Sequence, residues 1–182
     1  LPAGASPFLA ALLKSKGNQV VASIKPRSLL DRHILLVCGS QSDNAKQTIK
    51  SLRGAGKPVF ETSHGDVEHF ATRLRQTIST SPLTVLCHPQ ETNYSSKGLT
   101  ERIAAITSTT LSLFTSRLPH LCLEGGETAA AVLRLWGKES FSVLHEWESG
   151  VVTLVTDNQL PVTVKPGSYP WPTKLFGPRN PA

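Results

Sequence analysis

Methionine is absent from the 182 residues, and charged residues and cysteines are few. Because even position 1 is occupied by Leu1, we expect the chain to be a piece of a longer protein. Charged residues make up 18% of the chain and hydrophobic residues 39%, a composition typical of an ordinary globular domain. The thirteen Gly and thirteen Pro therefore indicate many turns, not a low-complexity segment.

The three cysteines, Cys38, Cys87 and Cys122, are widely spaced and lie in apolar runs. Their odd number and the lack of CxxC spacing favour buried free thiols in a reducing compartment over disulfides or a zinc site. No apolar run approaches the roughly 20 residues that span a bilayer, and the Leu1 end lacks the pattern of a signal peptide. We therefore expect a cytoplasmic or organelle-matrix protein with no membrane partner.

The formal net charge of +6 permits an anionic ligand such as a nucleotide. However, the Lys and Arg residues are scattered, and no basic run is interleaved with aromatic side chains. We therefore predict a solvated basic surface and no nucleic-acid partner. Whether the chain forms a homo-oligomer is left open by the sequence.

Apolar β-branched runs alternate with helical periodicity along the chain. His33–Cys38 and Leu83–Cys87 are typical of strands buried on both faces of a parallel sheet. This alternation predicts an α/β fold: a three-layer α/β/α arrangement with a mostly parallel sheet and an antiparallel edge. Six prolines between Pro161 and Pro181 predict a final loop or extended tail. The other predicted elements are helices at 8–13, 44–53, 66–78, 99–117 and 128–136, and extended segments at 20–24, 58–61, 121–123, 151–155 and 161–165.

Two predicted strand ends carry small polar residues that open directly into helices, CGSQS at 38–42 and EGGET at 124–128. Ligands of open parallel sheets bind outside the carboxyl ends of the strands. Glycine permits close backbone approach, and the unpaired first N–H groups of a helix attract anions. A phosphate group can therefore accept from the amides of Gly125 and Gly126 and from the hydroxyl of Thr128.

Each of these residues also has an explanation that needs no ligand. The Gly125–Gly126 pair suits a tight strand-to-helix turn, and Ser40 and Ser42 suit helix caps. Glu127 is stabilised by the helix dipole in a first turn, or it orients a ribose hydroxyl or a metal-bound water. No GxSxG, Walker A or GxGxxG motif is present. The six histidines are interpreted as surface or core residues, and no catalytic residue or metal ligand is identified.

In order, the motifs resemble the C-terminal nucleotide-binding domain of the four-carbon acid sugar kinases. The resemblance spans nearly the whole chain. The strongest block is similar to the family's GG(D/E)T turn and the helix after it, and the last is similar to its KSGNFG segment. The matching blocks are SPFLAALL, ILLVCGSQS, LEGGETAAAVLRLWG, HEWESGVV and VTVKPGSYP.

The resemblance implies ATP-dependent phosphorylation of a four-carbon sugar acid such as an erythronate, a threonate or a 3-oxo-tetronate, with Mg²⁺ accompanying the ATP. In this family a separate N-terminal domain with a DD-x-TGA segment holds the acid, and that segment is not found here. Residues 1–182 are therefore expected to form only the nucleotide-binding domain, which catalyses poorly by itself. The ATP site implied by the resemblance comprises Ser40, Gly125, Gly126, Glu127, Thr128 and Gly167.

The late loop departs from the family pattern, because Lys165–Pro170 reads KPGSYP. Pro166 lacks an amide N–H, and Pro170 replaces a flexible glycine. These changes put the role of Gly167 in doubt. They also keep two alternatives open: a nucleotide-binding or interaction domain whose kinase activity has decayed, and a different α/β enzyme whose glycine pair is structural.

Overall fold

The computed structural model describes residues 32–62, 65–89, 96–148, 150–156 and 160–176. The helix predicted at 8–13 and the extended segment at 20–24 lie outside the described residues. Within them, no helix is both long enough and apolar enough to cross a membrane.

A seven-stranded sheet, in the order β2-β3-β1-β4-β7-β6-β5, forms the centre of the described part of the chain. The first five strands of that order are parallel, whereas β6 is antiparallel to both β7 and β5. The strands are β1 Ile34–Cys38, β2 Val59–Glu61, β3 Leu83–Cys87, β4 His120–Glu124, β5 Ser142–Glu148, β6 Val151–Val155 and β7 Pro161–Lys165. The predicted mostly parallel sheet with an antiparallel edge is therefore confirmed.

The helices begin and end at recognisable signals. Ser42 caps the first helix by accepting from the Ala45 amide, and Asp66 caps the second by accepting from the amides of Glu68 and His69. The helices are α1 Asp43–Gly54, α2 Val67–Thr80, α3 Ser96–Ser112, α4 Gly126–Leu135 and α5 Thr173–Phe176.

Helices cover both faces of the sheet, which gives the predicted three-layer α/β/α arrangement. Alternate residues of β1 face opposite sides, so Leu35 and Val37 pack with α2, α3 and α4. Leu36, on the other side, belongs to a cluster with Ile49 of α1 and the segment around Trp171. All five residues of β1, β3 and β4 are buried, which explains their continuous apolar runs.

Three details differ from the sequence predictions. Strand β5 was not predicted; it is an edge strand with two register irregularities, and its Val143 is 73% exposed, so it lacks a buried apolar run. The helix predicted to reach Arg117 ends at Ser112, before a turn in which Phe114 donates to the Leu111 carbonyl. The predicted final loop contains α5, whose Leu175 is buried in the second cluster.

The three cysteines are buried free thiols, as predicted. Burial raises the pKa of Cys87 to about 12, and the pKa values of Cys38 and Cys122 are also raised, mainly by burial. Since the thiolate is the reactive form, all three should be inert at pH 8 in the folded protein.

We expect iodoacetamide at pH 8 to leave the three cysteines of the folded chain unmodified and to alkylate all of them in denaturant. Mass spectrometry of the intact protein counts the added groups. Rapid alkylation of the folded chain would show that at least one thiol is accessible and would contradict the packing of β1, β3 and β4.

Candidate functional site

The carboxyl ends of β1 and β4 meet at a topological switch point. These strands are neighbours, but the helix after β1 covers one face of the sheet and the helix after β4 covers the other. A crevice forms where two such connections diverge, and in open α/β sheets it is the usual ligand-binding place.

A cleft of about 380 Å³ lies at this point. It brings together the six residues predicted from the sequence, which are Ser40, Gly125, Gly126, Glu127, Thr128 and Gly167. Five further residues line it: Gly39, Gln41, His88, Leu99 and Thr100. Among the lining residues that the structure describes, none is Lys or Arg.

The first turn of α4 opens into the cleft without a side-chain cap. Gly125 adopts a positive φ of 96°, and no side chain caps this helix, in contrast to α1 and α2. The N–H groups of Gly126, Glu127 and Thr128 have no acceptor within the helix. A Cβ added at Gly126 would meet nothing within 4 Å, so its backbone is open to a close approach. This arrangement favours an anion.

Gly125 has a different role from the one proposed on sequence grounds. Its N–H donates to the carbonyl of Lys165 at 2.9 Å, which continues the pairing of β4 with β7. That amide is therefore engaged, and the donors available to an anion begin at Gly126. The positive φ of Gly125 makes the turn that aims them.

Thr128 joins the two strand-end loops. Its side chain packs against Gly39 so closely that a Cβ at Gly39 would lie 1.8 Å from the Thr128 hydroxyl oxygen. Thr128 is only 2% exposed, so it acts mainly as a wedge between the loop after β1 and α4. Only glycine at position 39 permits this contact.

Two serines connect the loop after β1 to the late loop. The Ser42 hydroxyl donates to the Gly167 carbonyl at 2.9 Å while capping α1, and the Ser40 hydroxyl donates to Ser42 Oγ at 3.1 Å. A Cβ at Gly167 would lie 2.5 Å from Ser40 Oγ. The cap predicted at Ser42 is thus observed, and Ser40 stands beside Gly167 in the wall of the cleft.

The two prolines of the late loop are accommodated in a fixed turn. Tyr169 donates its N–H to the Pro166 carbonyl, and Asn44 of α1 donates to the Ser168 carbonyl at 2.9 Å. The Lys165 ammonium donates to the carbonyls of Pro166 and Tyr169. In each of these bonds the loop contributes a carbonyl as the acceptor. The lack of an N–H at Pro166 and Pro170 therefore does not weaken the anchoring of the loop.

A buried ion pair that the sequence did not indicate lies below the cleft. Glu124 and Lys165 are 0% and 2% exposed, and Glu124 Oε1 lies 3.0 Å from Lys165 Nζ. The other carboxylate oxygen accepts from the indole N–H of Trp171 at 2.7 Å and from the Cys38 thiol at 3.6 Å. The sequence signal that could have indicated this pair is a charged residue at the end of each of two otherwise apolar strands.

His88 is one of the cleft residues that sequence reasoning missed, because the histidines were interpreted as surface or core residues. It follows β3 directly and is 6% exposed. Its Nδ1 lies 3.4 Å from the Thr62 hydroxyl oxygen, and its buried Nε2 has no partner among the described residues. Burial lowers the pKa of His88, so the ring is neutral at pH 7.

Among the described residues, no group of three or more His, Cys, Asp or Glu side chains converges. These residues therefore give no support for a metal ion held by protein side chains.

Breaking the buried ion pair should be costly. We expect Glu124→Gln or Lys165→Met alone to lower the free energy of unfolding by about 3–5 kcal/mol, because each leaves a buried charge without its partner. The double variant should recover much of that loss. Glu61→Gln, which breaks the exposed Arg53–Glu61 pair, is the matched control, with an expected change below about 1 kcal/mol. Urea unfolding measures all four, and single variants no worse than the control would contradict the pair's role.

No family model and no curated protein matches the chain. Solved structures do match its fold. Two are proteins of the domain-of-unknown-function family DUF1537: one from Bordetella bronchiseptica, a domain-swapped dimer with bound citrate (17% identity, TM-score 0.63), and one from Haemophilus influenzae (16% identity, TM-score 0.64). A third is a putative tRNA synthase from Salmonella typhimurium (17% identity, TM-score 0.64).

These likenesses cover 80%, 88% and 81% of this chain, respectively, but only 39%, 42% and 40% of the neighbours. The chain therefore spans about two fifths of the length of the proteins it matches. At such identities the comparison establishes a shared α/β fold with DUF1537 proteins.

Proposed function

We propose that this chain is the ATP-binding domain of a kinase that phosphorylates a four-carbon sugar acid of the erythronate, threonate or 3-oxo-tetronate type. The observation that carries the proposal is the uncapped first turn of α4 in a cleft at the switch point of the sheet. Three of the sequence blocks that resemble the four-carbon acid sugar kinases, ILLVCGSQS, LEGGETAAAVLRLWG and VTVKPGSYP, contribute residues to the lining of this cleft. DUF1537, the family of two fold neighbours, corresponds to that kinase family.

In the proposed complex, the amides of Gly126, Glu127 and Thr128 bind the phosphates. Ser40 and Gly167 line the same end of the cleft. The residues present suit a phosphate group, because backbone donors and an open Gly126 replace bulky side chains. Mg²⁺ bound to ATP would neutralise part of the phosphate charge. The Glu127 carboxylate lines the cleft and could accept hydrogen bonds from water molecules bound to Mg²⁺.

The composition of the cleft also explains why the domain should catalyse poorly alone. Phosphoryl transfer requires cationic groups that stabilise the charge of the transferring phosphoryl group. The described lining of the cleft contains neither Lys nor Arg, and Lys165 is engaged with Glu124. We infer that a separate domain supplies the cationic groups and binds the sugar acid.

A second candidate is a nucleotide-binding or interaction domain whose kinase activity has decayed. The observation that favours it is the late loop, where Pro166 and Pro170 stand in a turn anchored to Lys165 and α1. Such a loop is less adaptable than the glycine-containing family segment. An intact DD-x-TGA segment in the full-length protein would count against this candidate.

Millimolar Mg-ATP should raise the thermal unfolding midpoint of the chain, whereas NAD and S-adenosylmethionine should not. A ligand that binds only the folded state adds about 2.7 kcal/mol of stability at one hundred times its dissociation constant. Differential scanning fluorimetry measures the shift. A midpoint that responds to NAD but not to ATP would favour the alternative α/β enzyme and remove the support for a kinase domain.

Gly126→Val should abolish ATP binding and leave the fold intact, because the new side chain projects into the open cleft where the phosphates are proposed to lie. Gly54→Val is the matched control: Gly54 ends α1, and its Cβ would also meet nothing within 4 Å. Isothermal titration with Mg-ATP compares the two variants with the wild type. Unchanged affinity in Gly126→Val would show that the phosphates bind elsewhere.

A further inference from the structure

His88 holds an unsatisfied hydrogen-bonding atom against the cleft. The residue is 6% exposed, its Nδ1 faces Thr62, and its Nε2 is buried without a partner among the described residues. Buried polar atoms of folded proteins are almost always hydrogen-bonded. Because His88 lines the cleft, a group bound there is the natural partner of Nε2.

The register of the sheet places His88 away from the first turn of α4. Cys87 pairs with Cys38, and Cys38 pairs with Glu124, so His88 and Gly125 each lie one residue beyond aligned strand ends. Two strand spacings separate them, which is about 10 Å. A ligand longer than a single phosphate can therefore extend from the first turn of α4 to His88.

The two ends of the cleft differ chemically. The α4 end offers backbone amides and the positive end of a helix dipole, which suit an anion. The lining also includes His88, which follows β3, and Leu99 and Thr100 of α3. Leu99 is apolar and His88 is neutral at pH 7, because burial lowers its pKa. An apolar side chain and a neutral hydrogen-bonding ring in the same part of the lining suit an uncharged group.

We propose that His88 binds, through Nε2, the uncharged nucleoside end of a nucleotide whose phosphates lie at the first turn of α4. This inference rests on the proposed ATP site and assigns its polarity: phosphates at α4, nucleoside toward β3 and α3. A neutral imidazole nitrogen can donate or accept according to its tautomer, and a nucleoside offers hydroxyl groups and ring nitrogens of both kinds.

The test compares Mg-ATP with Mg-tripolyphosphate, which has the phosphates but no nucleoside. Isothermal titration is carried out on the wild type, His88→Ala, His88→Gln and the control His69→Ala, which alters an exposed residue of α2. We expect His88→Ala to bind ATP about 3- to 10-fold more weakly, the loss typical of one neutral hydrogen bond, and tripolyphosphate as tightly as the wild type does. His88→Gln, which keeps an amide near the Nε2 position, should recover part of the loss.

The outcomes separate the two proposals. Unchanged ATP affinity in His88→Ala would overturn the role of His88 while leaving the ATP site standing. Equal losses for ATP and tripolyphosphate, without recovery in His88→Gln, would overturn it as well, since they indicate a phosphate contact or a damaged site. If the wild type bound neither probe, the ATP site itself would be refuted, and the role of His88 with it. Thermal unfolding of each variant without ligand verifies that it is folded.

Discussion

The buried pair of Glu124 and Lys165 is the interaction on which the geometry of the cleft depends. Each residue ends a parallel strand, and the strands are neighbours in the sheet. Lys165 also holds the late loop through two carbonyls, while Glu124 holds Trp171 through the indole N–H. Two charges this deeply buried are tolerated only if they are paired and hydrogen-bonded. One contact therefore fixes the floor of the cleft, the late loop and the C-terminal segment together.

The same pair makes the charge distribution compatible with an anion at the proposed site. Glu124 directly precedes Gly125, so an unpaired carboxylate at this depth would oppose any phosphate at the first turn of α4. The Lys165 ammonium lies 3.0 Å from the Glu124 carboxylate, so its positive charge compensates the negative one. The positive end of the α4 dipole can then still attract an anion. Lys165 is thus used to compensate a charge of the protein, which is why it is not free to bind the ligand.

The parts of the fold that were predictable are those with strong local signals. Apolar runs in β1 and β3 and small residues after β1 and β4 indicated a parallel sheet and the position of a ligand cleft. Strand β5 gave little signal, because an irregular edge strand has no buried run. The Glu124–Lys165 contact joins residues far apart in the chain, and the engaged amide of Gly125 follows from the pairing of β4 with β7. Both depend on strand order, which periodicity does not specify.

The distribution of charge in the cleft suits the binding of a nucleotide better than the transfer of a phosphoryl group. Amides and a helix dipole can hold a phosphate in its ground state, but the transfer step requires cations aimed at the charge that develops. The described lining supplies donors and a neutral wall at His88, with no Lys or Arg. The chain covers about two fifths of the length of its fold neighbours, and in the proposed kinase a separate domain would supply such cations. In the proposed kinase, nucleotide affinity and catalytic power are therefore properties of different domains, and closure of one domain on the other would couple them.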